Sequence, residues 1–306
     1  MSLHTTFKIG GNARLVVYPQ NEEQISELVK CAKAENVRLI AVGNGSNLLV
    51  DDDGIDACVL ILGEPFSQIK LIDDETIYAK AGAKLIALCR FAYEHSLSGL
   101  EFAYGIPGSA GGAAFMNAGA YGGEMKDVLY KCEHIDKNGD RGFLENDDLK
   151  LSYRHSAYYD NGAVITGLYL KLKKGEKSEI KEKMDDLIGR RRAKQPLEYP
   201  SAGSTFKRPE GYFAGALIEA LLAISASLPL RSGVSEVTVL LELSMTYAPT
   251  VSALPASMTR SPYSLPLTPA LDRQIVTFAF SFTGFGSETR RQPSCTFAAA
   301  EVAVRP

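Results

Sequence analysis

Two glycine-rich segments carry the most visible chemistry in this 306-residue chain. The first, Val42-Gly43-Asn44-Gly45-Ser46-Asn47-Leu48, follows the apolar run Leu39-Ile40-Ala41. The second begins Tyr104-Gly105-Ile106-Pro107-Gly108-Ser109-Ala110-Gly111-Gly112 and continues through Met116-Asn117-Ala118-Gly119-Ala120-Tyr121-Gly122. Without a Cβ the backbone can approach a phosphate closely and adopt positive φ, so successive N–H groups can converge on an anion. Neither segment has the G-x-G-x-x-G spacing of a dinucleotide fold or the Gly-Lys-Ser/Thr ending of a phosphate loop. Each alone reads more readily as a tight turn, but two in one chain fit a single long cofactor with several phosphates. A concentration of cations, Arg190, Arg191, Arg192 and Lys194 with Lys207 and Arg208 downstream, would suit a nucleotide diphosphate.

These loops need strands and helices to hold them. Ala13 to Tyr18 and Arg38 to Val42 read as strands around a helix over 22–35, whose Ile25, Leu28, Val29 and Ala32 share one face. The three form a β-α-β unit. A second helix spans Lys84 to Tyr93 after a strand ending at Lys80. Residues 126–172 alternate apolar and polar positions around an Asn138-Gly139 turn, the pattern of antiparallel strands. Residues 173–195 form a charged linking helix with a stripe of Ile180, Met184, Leu187 and Ile188.

The net charge of −3 gives no reason to expect nucleic acid or membrane binding. No window of 18 apolar residues occurs and the N-terminus lacks a signal pattern, so the expected location is the cytoplasm. Five cysteines without a C-x-x-C pair point to reduced, half-buried packing residues and to no metal site.

Read with Thr6-Phe7-Lys8-Ile9-Gly10-Gly11-Asn12-Ala13, Ala79-Lys80-Ala81-Gly82-Ala83, Leu151-Ser152-Tyr153-Arg154-His155-Ser156 and Pro196-Leu197-Glu198-Tyr199-Pro200-Ser201-Ala202-Gly203-Ser204-Thr205-Phe206-Lys207-Arg208, the two loops acquire a common meaning. In order and spacing the set resembles the UDP-N-acetylenolpyruvoylglucosamine reductase (MurB) family, in its shorter class without an extra capping loop, over about residues 3–219. The resemblance implies an α+β fold: a vanillyl-alcohol-oxidase-type (PCMH) FAD-binding domain over 1–172, in subdomains of about 1–62 and 63–172, then a substrate-binding region over 196–306. It implies noncovalent FAD held by Gly43, Asn44, Gly45, Ser46, Asn47, Leu48, Gly105, Ile106, Pro107, Gly108, Ser109, Gly111 and Gly112, with NADPH as hydride donor and a UDP-sugar as substrate.

In that family setting Ser204 is the proton donor, in place of a plain turn serine after Gly203, and Arg154 engages the enolpyruvyl carboxylate, where a planar fork gives bidentate geometry. Lys207 and Arg208 meet the substrate, and Tyr153 either packs near the flavin or fills the core. After about residue 216 the chain departs from the family. Lysine, asparagine and histidine disappear, eight of the fourteen prolines lie beyond residue 220, and the family's C-terminal glutamate has no counterpart. An off-frame C-terminus would account for this, and because the chain begins directly on the family's first motif, the expectation is that its Met1 is an internal methionine taken as the start. The leading expectation is reduction of UDP-N-acetylglucosamine enolpyruvate in peptidoglycan precursor synthesis. The alternatives are a non-catalytic FAD-binding fragment and a flavin-dependent sugar or alcohol oxidase of the same fold.

Overall fold

The computed structural model describes residues 1–204, 206, 209, 211–219, 239–244 and 275–280. They fall into two units, Met1–Gly203 and Ser204–Pro306.

The first unit opens with a parallel sheet of β1 (Ala13–Val17), β2 (Leu39–Val42) and β3 (Ile55–Ile61). Helix α1 (Glu22–Ala34) connects β1 to β2, as the periodicity predicts, but β3 lies between them in the order β1-β3-β2. The central strand must be apolar on both faces, and Ala57, Cys58, Val59 and Leu60 of β3 are all buried. Helix α1 starts where Asn21 caps it, its side chain accepting the Gln24 N–H at 2.9 Å, with Glu22 and Glu23 in the first turn.

A second sheet follows, built from β4 (Ile69–Leu71), β5 (Thr76–Lys80), β9 (Leu129–Ile135), β10 (Arg141–Glu145) and β11 (Val164–Lys171) in the antiparallel order β10-β9-β11-β5-β4. Residues 136–140, including Asn138-Gly139, turn β9 into β10. Between β5 and β9 the chain forms α2 (Leu85–Glu94), the short strand β6 (Leu97–Ser98), α3 (Ala110–Phe115) and the small hairpin of β7 (Gly119–Ala120) and β8 (Gly123–Glu124). Helices α2 and α3 cover one face of the sheet, where Ile77, Ala79, Cys132, Ile135, Leu168 and Leu170 join Leu85, Leu88, Ala110 and Ala114 in the main core. The one-turn α4 (Tyr158–Asn161) precedes β11. After the two-residue β12 (Lys173–Lys174), which pairs with β6, comes α5 (Lys177–Lys194).

Helix α5 buries Ile180, Met184 and Leu187 of its stripe and keeps its remaining turns solvated. It docks beside the 3-10 turn Glu101–Ala103 through an ion pair, Lys183 Nζ to the buried Glu101 carboxylate at 3.3 Å. Burial opposes ionisation of Glu101, but hydrogen bonds from Ser98 and from the Glu101 and Gly99 N–H groups, with the Lys183 charge, hold its pKa below the usual carboxylate value.

In the second unit, β13 (Val239–Ser244) pairs antiparallel with β14 (Ile275–Phe280). The expectation that the chain beyond about residue 220 packs loosely falls largely outside the described residues. The cysteine expectation needs correcting. Cys58, Cys89 and Cys132 are fully buried, while Cys31 is exposed because it sits off the apolar stripe of α1.

Candidate active site

Four of the sequence motifs converge on the loop after β2. Gly45 has φ +60°, and a Cβ on it would overlap the His4 carbonyl and lie 2.9 Å from Thr5 Cα, so only glycine lets the N-terminal segment lie against the loop. The Thr6 N–H donates to the Gly45 carbonyl at 3.2 Å. The Thr6 hydroxyl donates to the Ser201 carbonyl at 2.6 Å, and the Ser201 N–H returns a bond to Thr6 at 3.3 Å. The 196–203 segment is thereby laced to residues 4–6, leaving Gly203 with ordinary van der Waals space beside the Ser46 carbonyl and Asn47.

The second glycine loop is held by the end of β5. The Ala110 N–H donates to Ala83 at 2.7 Å and the Gly111 N–H to Ala81 at 2.8 Å, which gives the Ala79–Ala83 motif its structural meaning. A Cβ on the buried Gly111 would lie 2.7 Å from Ala81 Cβ, so the glycine permits this docking. Ser109 caps α3, accepting the Gly112 N–H at 3.3 Å, and its Oγ occupies the space that a Cβ on Gly43 would need. The Asn44 side chain donates to the Pro107 carbonyl at 2.6 Å. Loops 43–48 and 105–112 therefore form one surface.

The donors on that surface are the informative feature. Among the described residues, the N–H groups of Asn44, Gly45, Ser46 and Asn47 in the first loop and of Gly108 and Ser109 in the second donate to no protein acceptor. Gly45 and Ser109 are buried. Buried backbone donors are nearly always paired, so the Gly45 and Ser109 N–H groups, flanked by the half-buried Ser46 and Gly108 and the exposed Asn44 and Asn47 donors on a surface with two glycine loops, fit an anionic ligand such as a diphosphate. Leu48 and Ile106 are half-buried, and Pro107 and Gly112 are exposed. Gly105 adjoins Ile188 and the half-buried Arg191 of α5, whose pKa burial pulls below its usual value. No carboxylate among the described residues pairs with Arg191.

Arg154 reaches the same surface. The Ser152 and His155 N–H groups each donate to the other's carbonyl at 3.1 Å, closing a turn with Tyr153 and Arg154 at its tip. Arg154 takes a left-handed φ of 58°, and its Nη2 donates to Asn47 Oδ1 at 2.6 Å. Among the described residues this is the bond the guanidinium makes, and its fork of five N–H groups can also meet an acceptor such as a carboxylate. Tyr159 lies beneath the turn. Its ring stacks at 5.5 Å on His155 and lies 4.3 Å from Phe115, and its hydroxyl donates to Met116 Sδ at 2.6 Å. Burial raises the Tyr159 pKa and the Arg154 charge partly opposes that.

Tyr153 is half exposed, at 51%, which rules out the core-filling alternative. Ser204 is exposed and begins the second unit. Lys207 and Arg208 lie outside the described residues. The sequence reading passed over Asn117, whose signal would have been an asparagine between two glycine turns, a setting where positive φ is tolerated.

A parallel lobe and an antiparallel lobe presenting two glycine loops with unpaired donors define a flavin-binding domain, and residues 13–141 match the family described as FAD binding domain. The chain is 47% identical over 219 residues to the UDP-N-acetylenolpyruvoylglucosamine reductase of Latilactobacillus sakei, covering 72% of each protein. It is 48% identical over 221 residues to that of Clostridium perfringens, covering 72% of this chain and 71% of the relative. The structure of the reductase (MurB) from Thermus caldophilus superposes with a TM-score of 0.63 at 34% identity, covering 77% of this chain and 81% of that one. The chain belongs to the UDP-N-acetylenolpyruvoylglucosamine reductase family, and its cofactor is FAD.

Proposed function

We propose that this protein reduces UDP-N-acetylglucosamine enolpyruvate to UDP-N-acetylmuramate with NADPH, a step in making the peptidoglycan precursor. The observation that carries the reading is Arg154, a guanidinium fork held by Asn47 at the edge of the flavin loops. Bound FAD supplies the ability to accept a hydride from one substrate and deliver it to another in the same place.

The chain's own residues then have distinct tasks. The N–H groups of Asn44 to Asn47, Gly108 and Ser109 would hold the cofactor diphosphate. Arg154 binds the enolpyruvyl carboxylate through two parallel charge-assisted bonds and stabilises the charge that spreads onto it when hydride adds to the far carbon of the enol double bond, leaving the carbon beside the carboxylate to take the proton. Ser204, in its Gly-Ser-x-Phe setting, donates the proton that completes the reduction. Lys207, Arg208 and Tyr153 are assigned to binding the UDP-sugar. The carboxylate fork favours this reading over a sugar or alcohol oxidase, whose substrates offer no carboxylate to clamp.

Arg154→Lys tests it. Lysine keeps the charge but loses the planar fork, so stopped-flow reduction of the flavin by NADPH should proceed as in the parent while reoxidation by the enolpyruvyl nucleotide slows at least about tenfold. Equal rates in both half-reactions would remove Arg154 from this role.

A further inference from the structure

We propose that Asn117 is the positioning residue for the Arg154 turn, fixing the guanidinium where a substrate carboxylate can meet it. The inference rests on Arg154 having the role just given. Asn117 follows α3, is only 4% exposed, and takes a left-handed φ of 43°. Every polar atom of its amide is used. Nδ2 donates to Glu124 Oε2 at 2.9 Å and to the Ser152 carbonyl at 3.0 Å, while Oδ1 accepts the Lys126 N–H at 2.9 Å. The carboxylate on one side and the N–H on the other fix which way the amide faces.

Ser152 is the first residue of the turn whose tip is Arg154. The upstream arm of that turn therefore hangs on Asn117. The downstream arm is fixed separately, by the Ser156 hydroxyl donating to the Phe115 carbonyl at 2.7 Å. With both arms anchored to residues 115–117, the turn is tied to the end of α3, the helix that begins in the second glycine loop. Cofactor loop and carboxylate clamp thus share one rigid support. No other residue type supplies this set of bonds. Aspartate has no donor for the Ser152 carbonyl and would face the Glu124 carboxylate, and glutamine is one methylene too long for the enclosed space. Glu124 is also ion-paired with Lys126 and closes a reciprocal cap with Asp127, so the group that orients Asn117 is itself held.

The test separates positioning from folding. Asn117→Gly keeps the left-handed backbone and removes only the amide. Its flavin content should stay close to that of the parent and its thermal midpoint should fall by several degrees without loss of the folded state, since three hydrogen bonds are lost, while amide exchange speeds up over residues 152–155 and not over 43–48. Binding is then followed through the flavin spectrum with two probes, the enolpyruvyl nucleotide and UDP-N-acetylglucosamine, which lacks the carboxylate. Asn117→Gly should weaken the first by about tenfold to a hundredfold, the scale set by a misplacement of about 1 Å, and leave the second unchanged. The effect should vanish in an Arg154→Ala background, because the amide acts only through the arginine.

Equal weakening of both probes, or unchanged binding of the acid, would overturn the assignment. So would loss of flavin or fold in Asn117→Gly and in Asn117→Ser alike, which would make Asn117 a folding residue. If Arg154→Ala itself leaves the acid's binding intact, the role given to Arg154 fails first.

Discussion

Adding one methyl group at Gly111 should damage the fold, and adding one at its neighbour Gly112 should not. At Gly111 the new Cβ would sit 2.7 Å from Ala81 Cβ and 3.1 Å from the Ala81 carbonyl, where ordinary contact begins at 3.4 Å. The first turn of α3 must then retreat from the end of β5 by about 0.7 Å. The same retreat would stretch the 2.8 Å and 2.7 Å bonds from Gly111 and Ala110 toward about 3.5 Å, beyond the useful range for N–H···O. Overpacking of this kind costs about 1–3 kcal/mol, or a fall of roughly 2–12 °C in midpoint for a unit of this size.

Gly112→Ala puts its Cβ on the exposed side of α3, where only Ser109 Oγ lies near it, at 3.2 Å, so the capping hydroxyl has to give by about 0.2 Å and no backbone has to move. It gains up to about 1 kcal/mol by restricting the unfolded chain. The expected signature is therefore crossed. In protein stripped of flavin, where cofactor binding cannot raise the midpoint by mass action, Gly111→Ala melts early and Gly112→Ala melts with or above the parent. In flavin titrations both lose affinity, the first because the loop has moved and the second because its methyl stands on the open side where a diphosphate would approach. Calorimetry on the stripped protein and flavin fluorescence on titration decide it. A midpoint for Gly111→Ala within a degree of the parent would refute the packing argument, and parental flavin affinity in both variants would refute the placement of the diphosphate.

Three further outcomes follow from the same geometry. The folded pKa of Glu101 lies below its unfolded value of 4.5, so its contribution is present above that value and lost as pH falls through the folded pKa; Glu101→Gln should flatten the acid limb of a melting profile recorded from pH 6 to pH 3, and an unchanged limb would argue against a structural role. Of the four described cysteines only Cys31 should react quickly with a disulfide reagent in native protein, since burial pushes the Cys58, Cys89 and Cys132 thiols up, and peptide mapping that found Cys89 or Cys132 labelled first would contradict the packing. Ser204→Ala should leave NADPH reduction of the flavin intact and slow reoxidation by the enolpyruvyl nucleotide at least about a hundredfold; equal loss in both halves would take the proton-donor role away from Ser204.

Much of the local structure was legible because local physics dictates it. Helix α1 begins at a capping asparagine and carries its apolar residues at helical spacing, and the β9–β10 turn is marked by Asn-Gly. The insertion of β3 between β1 and β2 was not legible, because parallel pairing is set by burial of β3 on both faces and not by any feature of its neighbours. The glycines announced that backbone had to come close to something but not to what. Gly111 answers to Ala81, thirty residues upstream, and Gly45 to residues 4 and 5. Cys31 could have been placed correctly, since it falls between the stripe positions Leu28 and Ala32 and so points away from the core. Asn117 could not have been assigned a role from its neighbours, because its three partners lie 7, 9 and 35 residues along the chain.

Three asparagines accomplish what the glycines alone cannot. Glycine lets loops approach but supplies nothing to hold them, and flexible loops around an anion site would have to be ordered by the ligand at its own expense in affinity. Asn44 joins the two glycine loops through the Pro107 carbonyl, Asn47 joins the first loop to Arg154, and Asn117 joins the end of α3 to Ser152. The choice of a neutral amide is physical. Aspartate at 44 or 117 could not donate to a carbonyl and would set a negative charge near donors meant for phosphate and carboxylate. Lysine would compete with Arg154 for the same anions. An amide donates on one side and accepts on the other without altering the local charge, so the positive potential at the site comes from Arg154 and from backbone N–H groups fixed in direction.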